Sequence, residues 1–244
     1  MNQVSERIKP KRILLKLSGE AFAGEDRFGL NAQSVKYIAE EIVSVHDAGI
    51  ETAVVVGGGN FIRGEVFSKE SEIDQSVADY MGMLGTLMNA MALQEAIEKI
   101  GIPTRVMSAV NVQAVSEPFI RRRAKRHLEK GRIIILAAGT GNPFFTTDTA
   151  AVLRALELGA EILLKATKVD GVYDKDPKKF NDASKFENIT FSDAIQKRLG
   201  VMDQTAFTMC REHKLPVVVL SLYEKGAMRN AALGEKIGTF VGGE

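Results

Sequence analysis

The residue types at two places in the chain suit the binding of an anion. Glycines 57–59 come directly after the apolar run 52–56, where three glycines let the backbone approach a ligand and direct N–H groups at negative charge. Lys16 lies within the apolar run 12–17, so its side chain is expected to point into a crevice. Arg63 follows the glycines closely, and its guanidinium can hold an anion through two hydrogen bonds. Together these residues predict a phosphate site.

Each of these features also has a purely structural explanation. A glycine triplet serves as a flexible turn, and a lysine on an edge strand protects the sheet against aggregation. The chain has no Gly-x-x-x-x-Gly-Lys-Ser/Thr motif, and no Gly-x-Gly-x-x-Gly follows a strand. Ordinary P-loop and dinucleotide-binding folds are therefore disfavoured.

A second polar segment runs from Gly139 to Asp148. Its ten residues include four hydroxyl or amide side chains and one carboxylate, which predicts a polar pocket. Thr147 or Asp148 also suits the N-cap of a following helix, and the two roles are compatible. Further on, residues 170–177 lack the ligand spacing of a calcium loop and contain turn signals, although Tyr173 could flank a nucleotide base.

Strands and helices that alternate along the chain must position these residues. Apolar runs predict strands at 12–17, 52–56, 104–108, 132–137, 161–165 and 217–221. Helical spacing and capping residues predict helices from Asn31 to Gly49 and at 76–100, 118–129, 148–159, 191–199, 203–213 and 225–233. The alternation favours an α/β fold with a mostly parallel sheet covered by helices on both faces, and ligands at the carboxyl ends of the strands.

Composition limits the classes of function. The 244 residues suit one large domain, and 32 Lys and Arg against 31 Asp and Glu leave a net charge of +1, which gives no global attraction for nucleic acid. The single cysteine excludes an intramolecular disulfide and, with no apolar leader or membrane span, predicts a soluble cytoplasmic protein. The three histidines lack metal-ligand or triad spacing. We expect the basic run 121–127 to form a solvated or oligomer-contact helix.

Five segments taken together resemble the bacterial uridylate (UMP) kinases of the amino acid kinase family. They are Lys16-Leu-Ser-Gly-Glu20, Gly57-Gly-Gly-Asn-Phe-Ile-Arg63, Asp79-Tyr-Met-Gly-Met-Leu84, Gly139-Thr-Gly-Asn-Pro-Phe-Phe-Thr-Thr-Asp148 and Lys165-Ala-Thr-Lys-Val-Asp-Gly-Val172. The resemblance runs from about residue 10 to the C-terminus. It implies a three-layer αβα sandwich, a homohexamer, and transfer of a phosphoryl group from Mg-ATP to UMP in pyrimidine nucleotide biosynthesis.

The resemblance also implies roles for individual residues. Lys16, Arg63, Asp148 and Asp203 would be catalytic, with the aspartates positioning lysines. The ATP site would comprise Lys16, Leu17, Ser18, Gly19, Gly59, Arg63, Thr167, Tyr173 and Asp176. The UMP site would comprise Gly58, Asp79, Thr140, Gly141, Asn142, Pro143, Phe144, Phe145, Thr146 and Thr147. Magnesium would arrive with ATP, without a site made by protein ligands alone. The UMP lobe would span residues 10–148 and the ATP lobe residues 149–244.

Regulation by nucleotides is a further implication of the resemblance, with GTP as activator and UTP as inhibitor. The matching region comprises Gly24, Glu25, Asp26, Arg27, Phe28, Gly29, Arg105 and Arg132, and Arg27 stands where the family commonly has glycine. Two other functions remain open at this point. One is a kinase that acts on a carboxylate or carbamate, and the other is a non-enzymatic oligomer that binds nucleotides or oxyanions.

Overall fold

The computed structural model describes residues 10–26, 28–70, 72–177 and 179–243, without the side chains of residues 65, 66 and 70. The strands are β1 (Arg12–Leu17), β2 (Glu51–Val56), β3 (Thr104–Ser108), β4 (Glu117–Pro118), β5 (Ile133–Ala137), β6 (Ile162–Thr167), β7 (Val172–Tyr173), β8 (Lys185–Phe186), β9 (Asn188–Ile189), β10 (Val217–Ser221) and β11 (Thr239–Val241). The helices are α1 (Glu20–Ala23), α2 (Ala32–His46), α3 (Gly64–Glu70), α4 (Gln75–Ile100), α5 (Arg121–Glu129), α6 (Thr147–Leu158), α7 (Phe191–Gln196), α8 (Gln204–Glu212) and α9 (Ala227–Ala232), and a 3-10 turn spans Gly24–Asp26.

Nine of the strands form one sheet in the order β4-β3-β5-β2-β1-β6-β10-β11-β9. Neighbouring strands pair in parallel, except β10 with β11. Strand β1 lies near the centre, with Leu17 opposite Val56 of β2 and Lys16 opposite Lys165 of β6. The loops that follow these three strands therefore meet at one edge of the sheet.

Helices cover both faces of this sheet. Alternate residues of β1 enter different cores: Ile13 and Leu15 belong to the core that includes residues of α2, α4 and α9, whereas Leu14 belongs to the core that includes residues of α5, α6, α7 and α8. This alternation follows from the period of two along a strand, and the buried β-branched and leucine side chains form an apolar layer on each face. The predicted three-layer αβα fold is confirmed.

Several predicted boundaries needed correction. Residues 117–118 form an edge strand beside β3, and the helix expected from Pro118 begins only at Arg121. The N-cap expected at Thr147 or Asp148 is Thr146, whose hydroxyl accepts hydrogen bonds from the N–H groups of Asp148 and Thr149. Asn31 caps α2 as predicted, through a 3.0 Å bond from Ser34 N. Within the described residues, no helix has the length and apolar character needed to cross a membrane.

Candidate active site

Two loops from neighbouring strands meet backbone to backbone at the carboxyl edge of the sheet. The Gly57 N–H donates to Leu17 O at 2.9 Å, so this amide is unavailable to a ligand. A Cβ added to Gly19 would lie 2.6 Å from Gly59 N, which explains why glycine is needed where the loops touch. In the described structure no hydrogen bond engages the N–H of Gly58 or Gly59. These two amides, rather than all three, can therefore bind an anion.

A carboxylate between two lysines lies beside these loops. Asp148, in the first turn of α6, approaches Lys16 Nζ at 2.7 Å through Oδ1 and Lys165 Nζ at 2.5 Å through Oδ2. The lysine Nζ of residue 165 also donates to Val201 O. All three side chains are at most 14% exposed. The sheet register places both lysines next to each other on the same face, where α6 supplies the carboxylate.

Burial and charge shift the pKa values of Asp148 and Lys165 downward for different reasons. Burial alone would raise the pKa of Asp148, but the charges of Lys16 and Lys165 hold the pKa below its ordinary value of 3.8. Burial lowers the pKa of Lys165 below 10.5, although Asp148 opposes that shift. Two lysines and one ionised aspartate carry a net charge of +1. The cluster therefore offers positive charge to an anionic ligand.

Two cavities adjoin at Lys16. The larger cavity, of about 530 Å³, lies between the glycine loop (residues 57–59), α4 and residues 139–147. The smaller cavity, of about 340 Å³, lies between β6, residues 166–169 and residues 200–201. Lys16, Ser18 and Glu20 line both cavities. Ligands in the two cavities would thus meet beside the lysine amine.

Helix α4 forms one wall of the larger cavity and anchors its opposite wall. Asp79 Oδ2 accepts a 2.8 Å bond from Phe144 N, and Thr86 Oγ1 accepts a 2.6 Å bond from Ala138 N. Ala138 and Phe144 both have positive φ, at 62° and 69°. These bonds to α4 fix the segment between β5 and α6 in a conformation that side-chain-bearing residues seldom adopt.

The buried side-chain amides of Asn60 and Asn89 hold the glycine loop in place. Asn60 and Asn89 exchange two hydrogen bonds, of 2.9 Å and 2.8 Å, and neither is more than 1% exposed. Asn89 also donates to Gly57 O, and Asn60 donates to Gly29 O. Because the Asn60 and Asn89 side chains are buried, loss of either one would leave a buried polar atom of the other unpaired. The pair connects the glycine loop to α4 and to the segment before α2.

Glu20 begins α1 and contacts cations on both sides. Its Oε1 pairs with Arg63 NH2, and its Oε2 lies 2.8 Å from Lys168 Nζ. Arg63 lines the larger cavity and Lys168 the smaller. Arg63, which was predicted to bind an anion, is therefore paired with the carboxylate of Glu20 in this structure.

The residues predicted to bind ATP are distributed over both cavities. Lys16, Ser18 and Thr167 line the smaller cavity, whereas Gly19, Gly59 and Arg63 line the larger. Leu17 is fully buried in the core, so only its backbone faces the loops. Tyr173 and Asp176 lie outside the lining of either cavity, and the Tyr173 hydroxyl donates to Asp170 at 2.7 Å.

The residues predicted to bind UMP gather around the larger cavity. Its lining includes Gly58, Asp79, Thr140, Phe144, Phe145, Thr146 and Thr147, whereas Gly141, Asn142 and Pro143 lie in the turn beyond it. Asp203, predicted to position a lysine, caps α8 and accepts hydrogen bonds from the hydroxyls of Thr146 and Thr149, and its charge opposes the lowering of the Lys165 pKa. Its carboxylate therefore acts on the threonine segment and on the start of α6.

The residues matched to regulation lie in separate places. Gly24, Glu25 and Asp26 line a third cavity with α2 and Tyr223; Phe28 packs edge-to-face on Phe61; and Gly29 bonds to Asn60. Arg27 lies outside the described residues. Arg105 pairs with Glu98 and Glu117, and Arg132 contacts His127 at 3.0 Å. No described contact joins these two arginines to residues 24–29.

Sequence reasoning missed Lys165, Glu20, Lys168 and the Asn60–Asn89 pair. A signal for Lys165 was present, because Ile-Leu-Leu-Lys occurs at both 13–16 and 162–165. The same four residues in two strands of one sheet suggest equivalent positions for their lysines. No comparable repeat marked Glu20, whose partners Arg63 and Lys168 are distant in the chain.

Among the described residues no group of three or more His, Cys, Asp or Glu side chains could hold an ion. Both oxygens of Asp148 already face lysines. The described donors therefore do not form a magnesium site by themselves.

Comparisons with known proteins agree with this geometry. Residues 11–221 match the amino acid kinase family. The chain is similar to the crystal structure of UMP kinase from Bacillus anthracis, with 40% identity, a TM-score of 0.92 and 96% of each chain covered. It is also similar to the crystal structure of UMP kinase from Ureaplasma parvum, with 34% identity, a TM-score of 0.89, and coverage of 96% of this chain and 99% of that one.

Proposed function

The chain belongs to the amino acid kinase family, and on that basis we propose that it transfers the γ-phosphoryl group of ATP to UMP, giving UDP and ADP. Full-length similarity to two UMP kinases at 34% and 40% identity supports this substrate. The main observation behind this proposal is that two cavities meet at Lys16, beside the Asp148 cluster, which consists of Lys16, Asp148 and Lys165.

The acceptor in this reaction needs no general base. By analogy with phosphorylated side chains, the second pKa of a monophosphate is about 6, so its oxygens are largely ionised at neutral pH. The obstacle is repulsion between the two phosphates. Lys16 is the cation that both cavities share, and Gly58 and Gly59, whose N–H groups have no hydrogen-bond acceptor within the described structure, line the larger cavity. These groups would bring the phosphates into line and stabilise the charge on the transferring group.

Magnesium would enter with ATP, where it neutralises phosphate charge. Lys16 and Lys165 supply the positive charge on the protein side, and Asp148 holds their amines in fixed positions. Proton transfer is not required of Asp148, whose pKa is held low by these lysines. Its role would be positioning.

We assign the larger cavity to UMP and the smaller to ATP. The larger cavity, with its exposed aromatic rings and polar groups, suits a nucleotide base and ribose. Phe144 and Phe145 are 69% and 55% exposed at its rim. This assignment divides the chain near Asp148 into an acceptor lobe, residues 10–148, and a donor lobe, residues 149–244. Tyr173 and Asp176 would extend the donor site beyond the cavity.

The decisive test is an ADP-release assay with Mg-ATP and a panel of acceptors. We expect turnover mainly with UMP, and far less with CMP, dUMP, aspartate or acetylglutamate. Turnover confined to a carboxylate would establish the carboxylate-kinase alternative. Binding of ATP without turnover of any acceptor would favour the non-enzymatic alternative.

Assembly and regulation form a second part of the proposal. Val77, Leu84, Met88 and Met91 are 40–51% exposed on one side of α4, and such an apolar stripe suits a contact between subunits, which the proposed homohexamer requires. Light scattering at assay concentrations would test the oligomeric state. Activation by GTP and inhibition by UTP would be tested in the same ADP-release assay, and we place the reaction in cytoplasmic pyrimidine nucleotide synthesis.

A further inference from the structure

Glu20 places a negative charge where the two cavities meet. It lines both cavities, and 24% of its side chain is exposed there. An anion in this position repels phosphates on either side unless cations neutralise it. The presence of a carboxylate at a junction built for two phosphates is therefore not explained by nucleotide binding alone.

The two cations that neutralise Glu20 come from opposite sides of the junction. Arg63, 61% exposed, contacts one carboxylate oxygen from the larger cavity, and Lys168, 44% exposed, contacts the other from the smaller cavity. Each cation is thus engaged with an oxygen in the way it would otherwise engage a phosphate. Because both cations remain partly exposed, an incoming anion can reach them.

We propose that Glu20 is an internal substitute for phosphate, which holds Arg63 and Lys168 at the junction in the empty protein and releases them to the two nucleotides. The inference rests on the proposed function, since it assigns one cation to each nucleotide. The carboxylate orders both cations before substrate arrives, and each nucleotide must compete with it. Glu20 is therefore a positioning residue whose removal strengthens binding.

The substitution Glu20→Gln tests this competition, because it removes the charge and keeps the size of the side chain. Calorimetric titrations would use UMP, Mg-ATP and inorganic tripolyphosphate separately. We expect each to bind about threefold to fivefold more tightly, the scale of a partly exposed ion pair. The matched control is Glu40→Gln on α2, which removes a charge paired with Lys36 outside both cavities and should leave all three affinities unchanged.

A double-mutant cycle with Lys168→Met separates exchange from a general structural effect. If Glu20 competes with ATP for Lys168, Glu20→Gln should no longer tighten Mg-ATP binding once that lysine is absent. The tightening for UMP should persist, since Arg63 remains. If Glu20 only stabilised the structure, Lys168→Met would change the effect of Glu20→Gln on UMP binding and on Mg-ATP binding in the same way.

Two outcomes would overturn the proposal. Weaker Mg-ATP binding by Glu20→Gln, with a higher magnesium requirement, would identify Glu20 as a contact for the metal. Unchanged affinities for all three probes would show that no exchange occurs. Tripolyphosphate carries the negative charge without a nucleotide base. Its affinity therefore reports whether an anion displaces Glu20 from the two cations, even if UMP is not the acceptor. Turnover of the unmodified protein with UMP judges the proposed function separately.

Discussion

At the scale of single residues, the Asp148 cluster has an unequal charge count that separates two roles for its members. Lys16 and Lys165 share one carboxylate, so the cluster has one more positive than negative charge. Removing one lysine leaves a neutral pair, whereas removing the carboxylate leaves two buried lysines beside each other. The two kinds of substitution should therefore differ in their effect on stability.

We predict that Lys16→Met lowers transition-state stabilisation by about 3–4 kcal/mol, the cost of one preorganised donor. The free energy of unfolding should change by less than about 1 kcal/mol, because Asp148 keeps its contact with Lys165. Steady-state kinetics and urea unfolding of the same preparation measure both quantities. Equal losses in the two would show that Lys16 is structural.

The contrasting variant is Asp148→Asn. It leaves both buried lysines without their carboxylate, and we expect a loss of about 3–5 kcal/mol in the free energy of unfolding. Because the pKa of Asp148 is lowered in the folded protein, its contribution to stability is present above the unfolded pKa and lost as the pH falls through the folded pKa. A variant as stable as the parent at neutral pH would contradict the role of Asp148 as the holder of both lysines.

The lowered pKa of Lys165 predicts a pH dependence. Burial is the largest cause, so the amine loses its proton at a lower pH than an ordinary lysine, whose pKa is 10.5. As the pH rises, we therefore expect kcat to fall before the pH reaches the ordinary lysine pKa. Arginine keeps its charge at alkaline pH, so in the Lys165→Arg variant the fall in kcat should occur at a higher pH, even if the maximal kcat is smaller. An unshifted fall in kcat would assign the titration to another group.

At the scale of elements, the glycine loop and α4 are in such close contact that one methyl group decides their packing. A Cβ on Gly58 would lie 2.3 Å from Gly82 O in α4, whereas a Cβ on Gly59 would meet only the flexible Arg63 side chain at 3.7 Å. We predict that Gly58→Ala loses at least about 2 kcal/mol of stability and most activity, because the helix backbone cannot move aside cheaply.

Gly59→Ala is the matched variant for that prediction. It adds the same methyl group one residue away, and thermal unfolding should place it within about 1 kcal/mol of the parent protein. Similar destabilisation by both substitutions would mean that loss of glycine flexibility, rather than contact with α4, is the cause.

Helix α4 also predicts a separation of the two substrates. Asp79→Ala removes the acceptor for Phe144 N on the wall of the larger cavity, where we place UMP. The KM for UMP should therefore rise at least about tenfold, the effect of losing one charge-assisted hydrogen bond. The KM for ATP should change little. Equal increases in both would contradict the assignment of the larger cavity to UMP.

The sequence predicted elements with strong local signals better than those set by distant contacts. Residues 133–137 and 217–220 are unbroken apolar runs, and the strands that contain them were expected. Strands β4, β9 and β11 contain two or three residues each, and pairing with other strands of the sheet creates them. For the same reason Lys16 was predicted as a candidate, whereas Lys165 depended on the register between β1 and β6.

At the scale of the whole molecule, the two cavities share a short border and otherwise have separate walls. Lys16, Ser18 and Glu20 are common to both, while α4 belongs to the larger and residues 165–169 to the smaller. Two nucleotides bound side by side should therefore each stabilise the folded chain. This expectation is independent of turnover if ADP replaces ATP.

We predict that UMP at 100 times its Kd stabilises the fold by about 2.7 kcal/mol and raises Tm by about 5–10 °C. Magnesium-ADP should act similarly, and the two together should give nearly the sum, reduced only by repulsion at the shared border. Differential scanning calorimetry measures these shifts, with aspartate and acetylglutamate as acceptors that should produce none. If UMP and ADP together gave no more than the larger single shift, the two nucleotides would compete for one cavity, and the division into acceptor and donor sites would be wrong.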